Sequence, residues 1–413
     1  MDYIITLLFL LLSSSANVIA HNDYAWFAIL VLMFIYALVK KVVFARDIKV
    51  FGLFALIYLV YVVARDFLVT GLEMKYLISD FLFLPKYCLL AFIYCIIMKE
   101  KILDNVVKVV VHLTIIDLFI YFFQLIGFAD TIYAFSESLN LPKANEIPGF
   151  TNFIIFSFTK GLHDYRNSGF VWEPGAYGCF LILTLLFNFF RNKFTFDWKA
   201  YILIVAIITT FSTTNYLALF ILLFMVYRYR VPKVNLWVIL MIPAFVILVI
   251  TVPFLGQKIA DIYNDDIDGL NHMRDISKYN LKHNSQIPLN RFASMIYLYD
   301  NIGANLILGL SNKYDEIIDK VYNVNISNGI FDFLSKFGVV GLFYLVYGYA
   351  RFCKKFLKRN EYVVYAILIF LVMSFGEPIL FLPLFLTFMF LPFLSIDFSK
   401  LEKKPLWAGT NLQ

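Results

Sequence analysis

Apolar residues run through this chain in solid blocks. Stretches such as "IITLLFLLL", "LLAFIYCIIM" and "FLILTLLFNFF" show neither the period of two of a half-buried strand nor the narrow stripe of a surface helix. A helix that is apolar all round is surrounded by protein or lipid. Most blocks are near the ~20 residues that cross a hydrocarbon core as helix. Bounded by Lys and Arg, they give candidate spans near 3–20, 24–39, 50–65, 81–98, 106–127, 169–190, 199–212, 215–229, 235–255, 329–350, 362–376 and 379–396. The alternation of a membrane β-barrel is missing from them. The pattern therefore predicts an all-α, polytopic integral membrane protein of about twelve helices, with residues 1–413 forming a single transmembrane domain.

Charge orients these spans. Only 15% of the residues are charged against 61% hydrophobic, well under the roughly 25% charge of soluble domains. The net charge of +6 sits in short loops between spans, so it speaks for membrane topology and not for nucleic acid. Lys40, Lys41, Arg46 and Lys49 share one loop, Lys99 and Lys101 the next candidate, then Arg191 and Lys193, Arg228 and Arg230, and the cluster from Arg351 to Arg359. These are alternate loops, and loops rich in Lys and Arg stay cytoplasmic. Both termini are then expected inside. The start imitates a secretory signal because "VIA" precedes His21, yet the one charge before its apolar run is Asp2 where a signal needs Lys or Arg, so an uncleaved first helix is expected. Cys88, Cys95, Cys179 and Cys353 lie in or beside spans and imply no disulfide scaffold.

Three segments depart from the pattern of simple crossings. In "KAYILIVAIITTFSTTNYLALFILLFMVYRYR" basic residues flank both ends of a run too long for one helix and short for two. Two helices meeting at Ser212-Thr213-Thr214-Asn215 fit it, provided the break is buried in protein or lines a polar cavity; two ordinary spans in a thinned region are the alternative. Residues 129–168 and 256–328 form two long outward loops, and long ordered loops on a rigid scaffold commonly carry function. The second contains an amphipathic segment near 291–310, "RFASMIYLYDNIGANLILGL", suited to the outer interface.

Candidate chemistry collects near the outward ends of the spans. Lys86, Glu173, Lys336 and Glu377 fall at a similar depth by residue count, where snorkelling lysines and helix-capping glutamates are the ordinary explanation. Glu173 differs, because Pro174 and Gly175 follow it and shape the backbone for close approach. Arg166 edges the same span, and Arg291 precedes the amphipathic segment. Arginine keeps its charge and grips phosphate oxygens with two parallel bonds, so two arginines from separate loops suit a diphosphate. His21, His112, His163, His272 and His283 show no paired-ligand spacing, and no metal or cofactor is expected. His112 and Asp117 read as a packed polar contact in preference to a relay. There is no phosphate-cradling glycine loop, and Asp265, Asp266 and Asp268 lie in an external loop, away from any nucleotide sugar.

The segment "RNSGFVWEPGAYGCFL" resembles the R-x-x-G-x-x-x-E-P-x-x-[FY]-G signature of bacterial O-antigen polymerases of the Wzy type, matching at Arg166, Gly169, Glu173, Pro174, Tyr177 and Gly178. "FSTTNYLALFILLF" is similar to that family's break between two helices, "NRFASMIYLYDNIGANLILGLS" to its arginine-led segment, and "SNGIFDFLSKFGVVGLFY" to its N-x-x-x-x-x-L-x-x-x-G-x-x-G. The resemblance spans roughly residues 150 to 350 in motif order. Two positions depart from it. Thr214-Asn215 replaces the usual Ser-Arg after the break. Ser327 stands before Asn328 where the related O-antigen ligases carry a histidine, which favours polymerase over ligase.

The resemblance implies a GT-C-like membrane glycosyltransferase, metal-independent, in the inner (cytoplasmic) membrane of a bacterium. It would polymerise undecaprenyl-diphosphate-linked repeat units into the O-antigen of a lipopolysaccharide or into a capsular-type polysaccharide, by inverting transfer at the outer face. Donor and acceptor glycans on that lipid, the bilayer, a chain-length regulator and a flippase are the partners implied. Glu173, Arg166 and Arg291 are the expected catalytic residues, with Gly169, Tyr177, Asn328, Lys336, Lys86 and Glu377 toward substrate. O-antigen ligase is the alternative within the superfamily. A lipid-linked oligosaccharide flippase or other transporter is the alternative outside it, although a carrier places its site at the midplane between repeated halves.

Overall fold

A computed structural model describes residues 1–43, 45–71, 73–139, 141, 149–231, 268, 287–289, 291–313 and 324–396. Long helices dominate it: α1 (Asp2–Ser13), α2 (Asp23–Val39), α3 (Ala45–Arg65), α4 (Met74–Phe83), α5 (Leu89–Met98), α6 (Ile102–Phe123) and α7 (Ala129–Ser138). There follow α8 (Pro174–Arg191), α9 (Trp198–Thr209), α10 (Thr213–Arg230), α11 (Arg291–Ile302), α12 (Gly329–Lys354) and α13 (Asn360–Gly376). Among the described residues four helical segments are long and apolar enough to cross a membrane, Ala45–Val69, Met74–Ser138, Pro174–Arg191 and Gly329–Lys354, with shorter apolar helices between them. The chain is thus a helical protein of membrane type. The candidate span 235–255 lies outside the described residues.

The all-round apolar block at 174–190 becomes the centre of the bundle, with every residue of α8 from Pro174 to Phe190 buried. Between apolar helices in lipid, packing drives association, and small residues let backbones approach. Gly175 and Gly178 do this on α8. A Cβ at Gly178 would lie 1.9 Å from Asn215 Nδ2, so α10 reaches α8 only through a bare position. On α12, Gly338 adopts φ 64°, a backbone that glycine enters at little cost, and kinks the helix against the turn at 307–309.

Three expected spans differ from simple crossings. The first, expected at 3–20, ends as a helix at Ser13, and a separate helical turn follows at Val18–His21 after Ser15 takes φ 49°. The segment 379–396 holds only the short helix Pro383–Leu386 and a 3-10 turn at Thr387–Met389. Its backbone fits because Gly348 of α12 packs flush on the Phe388 carbonyl and the surrounding core is aromatic. Inside the span expected at 81–98, a π-turn at Leu84–Cys88 joins α4 to α5, as Pro85 cannot donate to the regular ladder.

Ion pairs fix which ends lie together. Asp2 binds Lys40 and Lys101, Lys99 binds Asp47, and Arg191 binds Asp104. Tyr362 donates to the Arg228 carbonyl at 3.0 Å. The basic loops therefore gather at one end of the bundle with the start of α1. The opposite end carries the described parts of the two long segments. In the first, β1 (Phe150–Asn152) and β2 (Ser157–Thr159) form an antiparallel hairpin, held to α6 by Tyr121 donating to the Tyr165 carbonyl and Gln124 to that of Asp164. In the second, β3 (Ile287–Leu289) and β4 (Val324–Ile326) pair in parallel and bring Arg291 and Asn328 into register.

Candidate functional site

Five helix ends meet at the end away from the basic loops: the starts of α8, α10 and α12 and the ends of α9 and α13. Glu173 caps α8 in an extended conformation, since the residue before a proline is pushed from helical geometry, and its Oε1 accepts from Trp172 Nε1 at 2.8 Å. Glu377 terminates α13 in the same way, again before a proline, at Pro378. The repeated Glu-Pro dipeptide brings two carboxyls face to face, and they share a hydrogen bond.

Arg291 completes this pair from the second loop. Its Nη2 donates to Glu377 Oε1 at 3.2 Å and its Nε to the Gly376 carbonyl at 3.0 Å. Asn328 holds it there: the side-chain amide donates to the Arg291 carbonyl at 3.1 Å while its oxygen caps α12 through the amides of Ile330 and Phe331. Arg166 enters from the first loop. Its Nε donates to the Thr210 carbonyl at 3.0 Å, and its charge acts on both glutamates.

A helix break is present as expected, but it falls at 210–212 and not at Ser212-Thr213-Thr214-Asn215, whose last three residues open α10. α9 ends at Thr209, Phe211 takes φ 48°, and α10 starts at Thr213 with Ser212 as cap. The freed carbonyls of Thr209 and Thr210 accept from Asn167 N and Arg166 Nε, which is how non-helical backbone survives away from water. Asn215, where the resembled family carries arginine, donates at 2.7 Å to the Gly175 carbonyl. It braces α8 instead of offering a charge.

Electrostatics divide the two glutamates. Burial raises the Glu377 pKa first, then the neighbouring Glu173 charge and the hydrogen bond to it, with Arg291 and Arg166 pulling the other way. Two carboxylates in contact cannot both ionise readily, and burial beside Glu173 favours the protonated form of Glu377. Arg166 is lowered by desolvation, and His163 beside it falls to about 4, through desolvation and the Arg166 charge, leaving its imidazole neutral at pH 7.

The structure brings Arg166, Glu173, Arg291, Glu377 and Asn328 together and sets the other expected residues apart. Gly169 (φ 50°) lets the Tyr177 ring pass, since a Cβ there would sit 2.4 Å from it. Tyr177 itself is fully buried and donates to Asp117 at 3.1 Å; it faces the core and not the cluster. His112 binds Tyr3 instead of Asp117. Lys86 and Lys336 do not join the glutamates. Lys86 pairs with Asp23 at 2.6 Å, and Lys336 lies 3.9 Å from Asp332 and over the Phe381 ring. Equal depth by residue count does not mean contact, because side chains at one depth can point to different neighbours: Lys336 shares α12 with the Asn328 cap yet pairs with Asp332.

Arg65, wholly buried, binds Asp66 and Asp80 and donates to the Lys336 carbonyl at 3.0 Å. Its signal in the sequence is an Arg-Asp pair closing an apolar helix, while Asp80 comes from the next helix, α4. The second Glu-Pro was legible as an echo of the first.

Residues 200–346 of the 413 match the family model described as O-antigen ligase. The matched region runs from α9 through the helix break and the second loop into α12, and so includes Arg291, Asn328 and Lys336. The match supports similarity to the O-antigen polymerase/ligase superfamily, whose members are membrane enzymes acting on lipid-linked glycans, and it does not separate polymerase from ligase. No curated protein and no solved structure matches the chain.

Proposed function

We propose that the chain is a polysaccharide polymerase, transferring a growing glycan from undecaprenyl diphosphate to a repeat unit on the same lipid, by inverting glycosyl transfer at the outer face of a bacterial inner membrane. The observation that carries this reading is the convergence of Arg166 and Arg291, from two separate loops, on the Glu173–Glu377 pair. A departing diphosphate needs fixed cationic donors, and an attacking hydroxyl needs a base. The arginines supply the first. Glu173, oriented by Trp172 Nε1 and by the Glu377 proton, supplies the second. Inversion follows if a single displacement at the anomeric carbon puts nucleophile and leaving group on opposite faces.

Ligase is the second reading, favoured by the printed description of the matched family. Against it stands Ser327, exposed beside Asn328 where ligases are expected to carry histidine. The test is polymerisation by purified Glu173→Gln protein on lipid-linked repeat units. The amide keeps shape and the Trp172 bond, so membrane insertion should persist while polymer disappears. Near-normal turnover would reject Glu173 as base. A product ladder longer than one repeat from the parent protein supports polymerase; transfer only to a different lipid supports ligase.

A further inference from the structure

A cavity of about 790 Å³ lies beside the arginine cluster and separate from it, between α2, the π-turn at Leu84–Cys88, the kink of α12 and the turn that follows Glu377. Its walls combine aromatic faces with cations. Lys86 Nζ stands 5.4 Å from the centroids of Trp26 and Tyr87, and Lys336 Nζ 5.2 Å from that of Phe381. Tyr24 and Phe27 at its edge are exposed, so on a membrane protein it opens sideways to lipid. Of the acids that reach it, Asp80 is held by Arg65 and Ser311 and Asp23 is the exposed partner of Lys86; Asp332 lies one helical turn before Lys336. Arg65 and the amide of Ser311 also fix the Lys336 carbonyl, so the wall is braced. Lys86 sits in a π-turn, a distortion often found at functional sites.

We propose that this cavity holds the diphosphate and first sugar of the acceptor lipid, apart from the arginines that hold the donor's. The proposal rests on the glycosyl-transfer reading above. In that step the acceptor O–H attacks the donor anomeric carbon, the bond from that carbon to the donor diphosphate breaks with its electron pair on the phosphate oxygen, and the proton passes to Glu173. The acceptor's own anomeric bond stays intact. Its diphosphate therefore develops no charge and needs only a releasable electrostatic hold, which compact lysine ammoniums give better than a bidentate guanidinium fork. Aromatic faces suit the apolar face of a sugar. α12 links the two sites: Asn328 at its cap positions Arg291, and Lys336 lies eight residues on, ~12 Å along the helix, a gap a short oligosaccharide bridges.

The test uses full-length protein in phosphatidylcholine vesicles, the lipid-linked repeat unit as donor, and as acceptor the same unit with its anomeric phosphate oxygen replaced by methylene, which accepts but cannot donate. The double variant K86Q/K336Q should raise the acceptor KM tenfold or more and leave the donor KM in place, and K86R/K336R should restore most of the loss. An unmoved acceptor KM, or an equal rise for the donor, overturns the proposal. So does added phosphatidylglycerol bringing the unsubstituted protein to the same acceptor KM, because the cavity would then be a general phospholipid site. R166A and R291A are assayed in parallel: their full activity would sink the transfer reading, whereas their inactivity with an unmoved acceptor KM in the lysine variant sinks the cavity alone.

Discussion

Gly175→Ala separates the fold from the site. A Cβ at this position would stand 1.8 Å from Glu377 Oε1 and 2.6 Å from its carboxyl carbon, distances no real pair tolerates. The obstructed atoms are the far end of a flexible side chain, so the carboxyl swings away and the backbone stays. What is lost is the Arg291 contact at 3.2 Å and the hydrogen bond to Glu173. A hydrogen bond to a charged group contributes about 1.5–3 kcal/mol. If that energy acts in the transition state, each ~1.4 kcal/mol costs tenfold in rate, which gives a turnover loss on the order of 10- to 150-fold. Alanine favours helix by up to ~1 kcal/mol over glycine, which offsets only part of that loss, so thermal stability should fall by no more than about 2 kcal/mol. The assay is polymerisation by purified protein on lipid-linked repeat units, with a thermal melt in the same detergent. Parent-like turnover would refute the argument that the Glu377 carboxyl belongs to the site. A collapsed melting temperature would refute the argument that the carboxyl moves freely.

The other predictions concern charge, packing and topology. Arg166→Ala and Arg291→Ala should each abolish polymer while protein remains in the membrane, and lysine should rescue poorly because the bidentate fork is lost; full rescue at both positions would reduce them to general attraction. Glu377 has a folded pKa above its unfolded value, so its contribution to stability is present below the ordinary carboxylate range and is lost as pH rises toward the folded value; Glu377→Gln should flatten that alkaline decline in thermal melts, and an unchanged slope would assign it elsewhere. Tyr177→Phe leaves Asp117 with neither carboxylate oxygen bonded to it among the described residues, and should cost about 1–3 kcal/mol in a melt without changing turnover per folded molecule. Cysteine labelling should place 129–168 outside and Arg351 to Arg359 inside; the reverse would remove the outer-face chemistry.

Most helices were legible because their signal is local. Blocks of apolar residues bounded by Lys and Arg marked α2, α3, α8, α12 and α13 closely, and the misfit of one block between two basic ends exposed a break, although it falls at 210–212, just before the expected Ser212–Asn215. The short pieces at 379–396 were not legible. Composition there is as apolar as in any span, and what stops a helix is Pro378 and Pro383 together with the α12 backbone pressing on Phe388, a contact between distant segments. The same division applies to the site. Arg166, Glu173 and Arg291 announced themselves by residue type beside proline or loop boundaries. Tyr177 matched the same motif and turned inward, because a motif spacing records a helix face without saying what that face meets.

Glu377 shows why the pairing could not be read from either glutamate alone. As a helix-capping carboxylate each is ordinary, and each stands before proline for a local reason. Together they change the charge of the site. Two ionised glutamates would cancel Arg166 and Arg291. Burial and the contact with Glu173 favour the protonated form of Glu377, so the second glutamate adds a hydrogen-bonding group to the proposed site without simply cancelling the arginines. Gly175 and Gly329 make that contact possible, since a side chain at either would strike Glu377. The glycine after Glu173-Pro174 thus serves the second glutamate more than the first: the bare position on α8 is where the carboxyl from α13 enters.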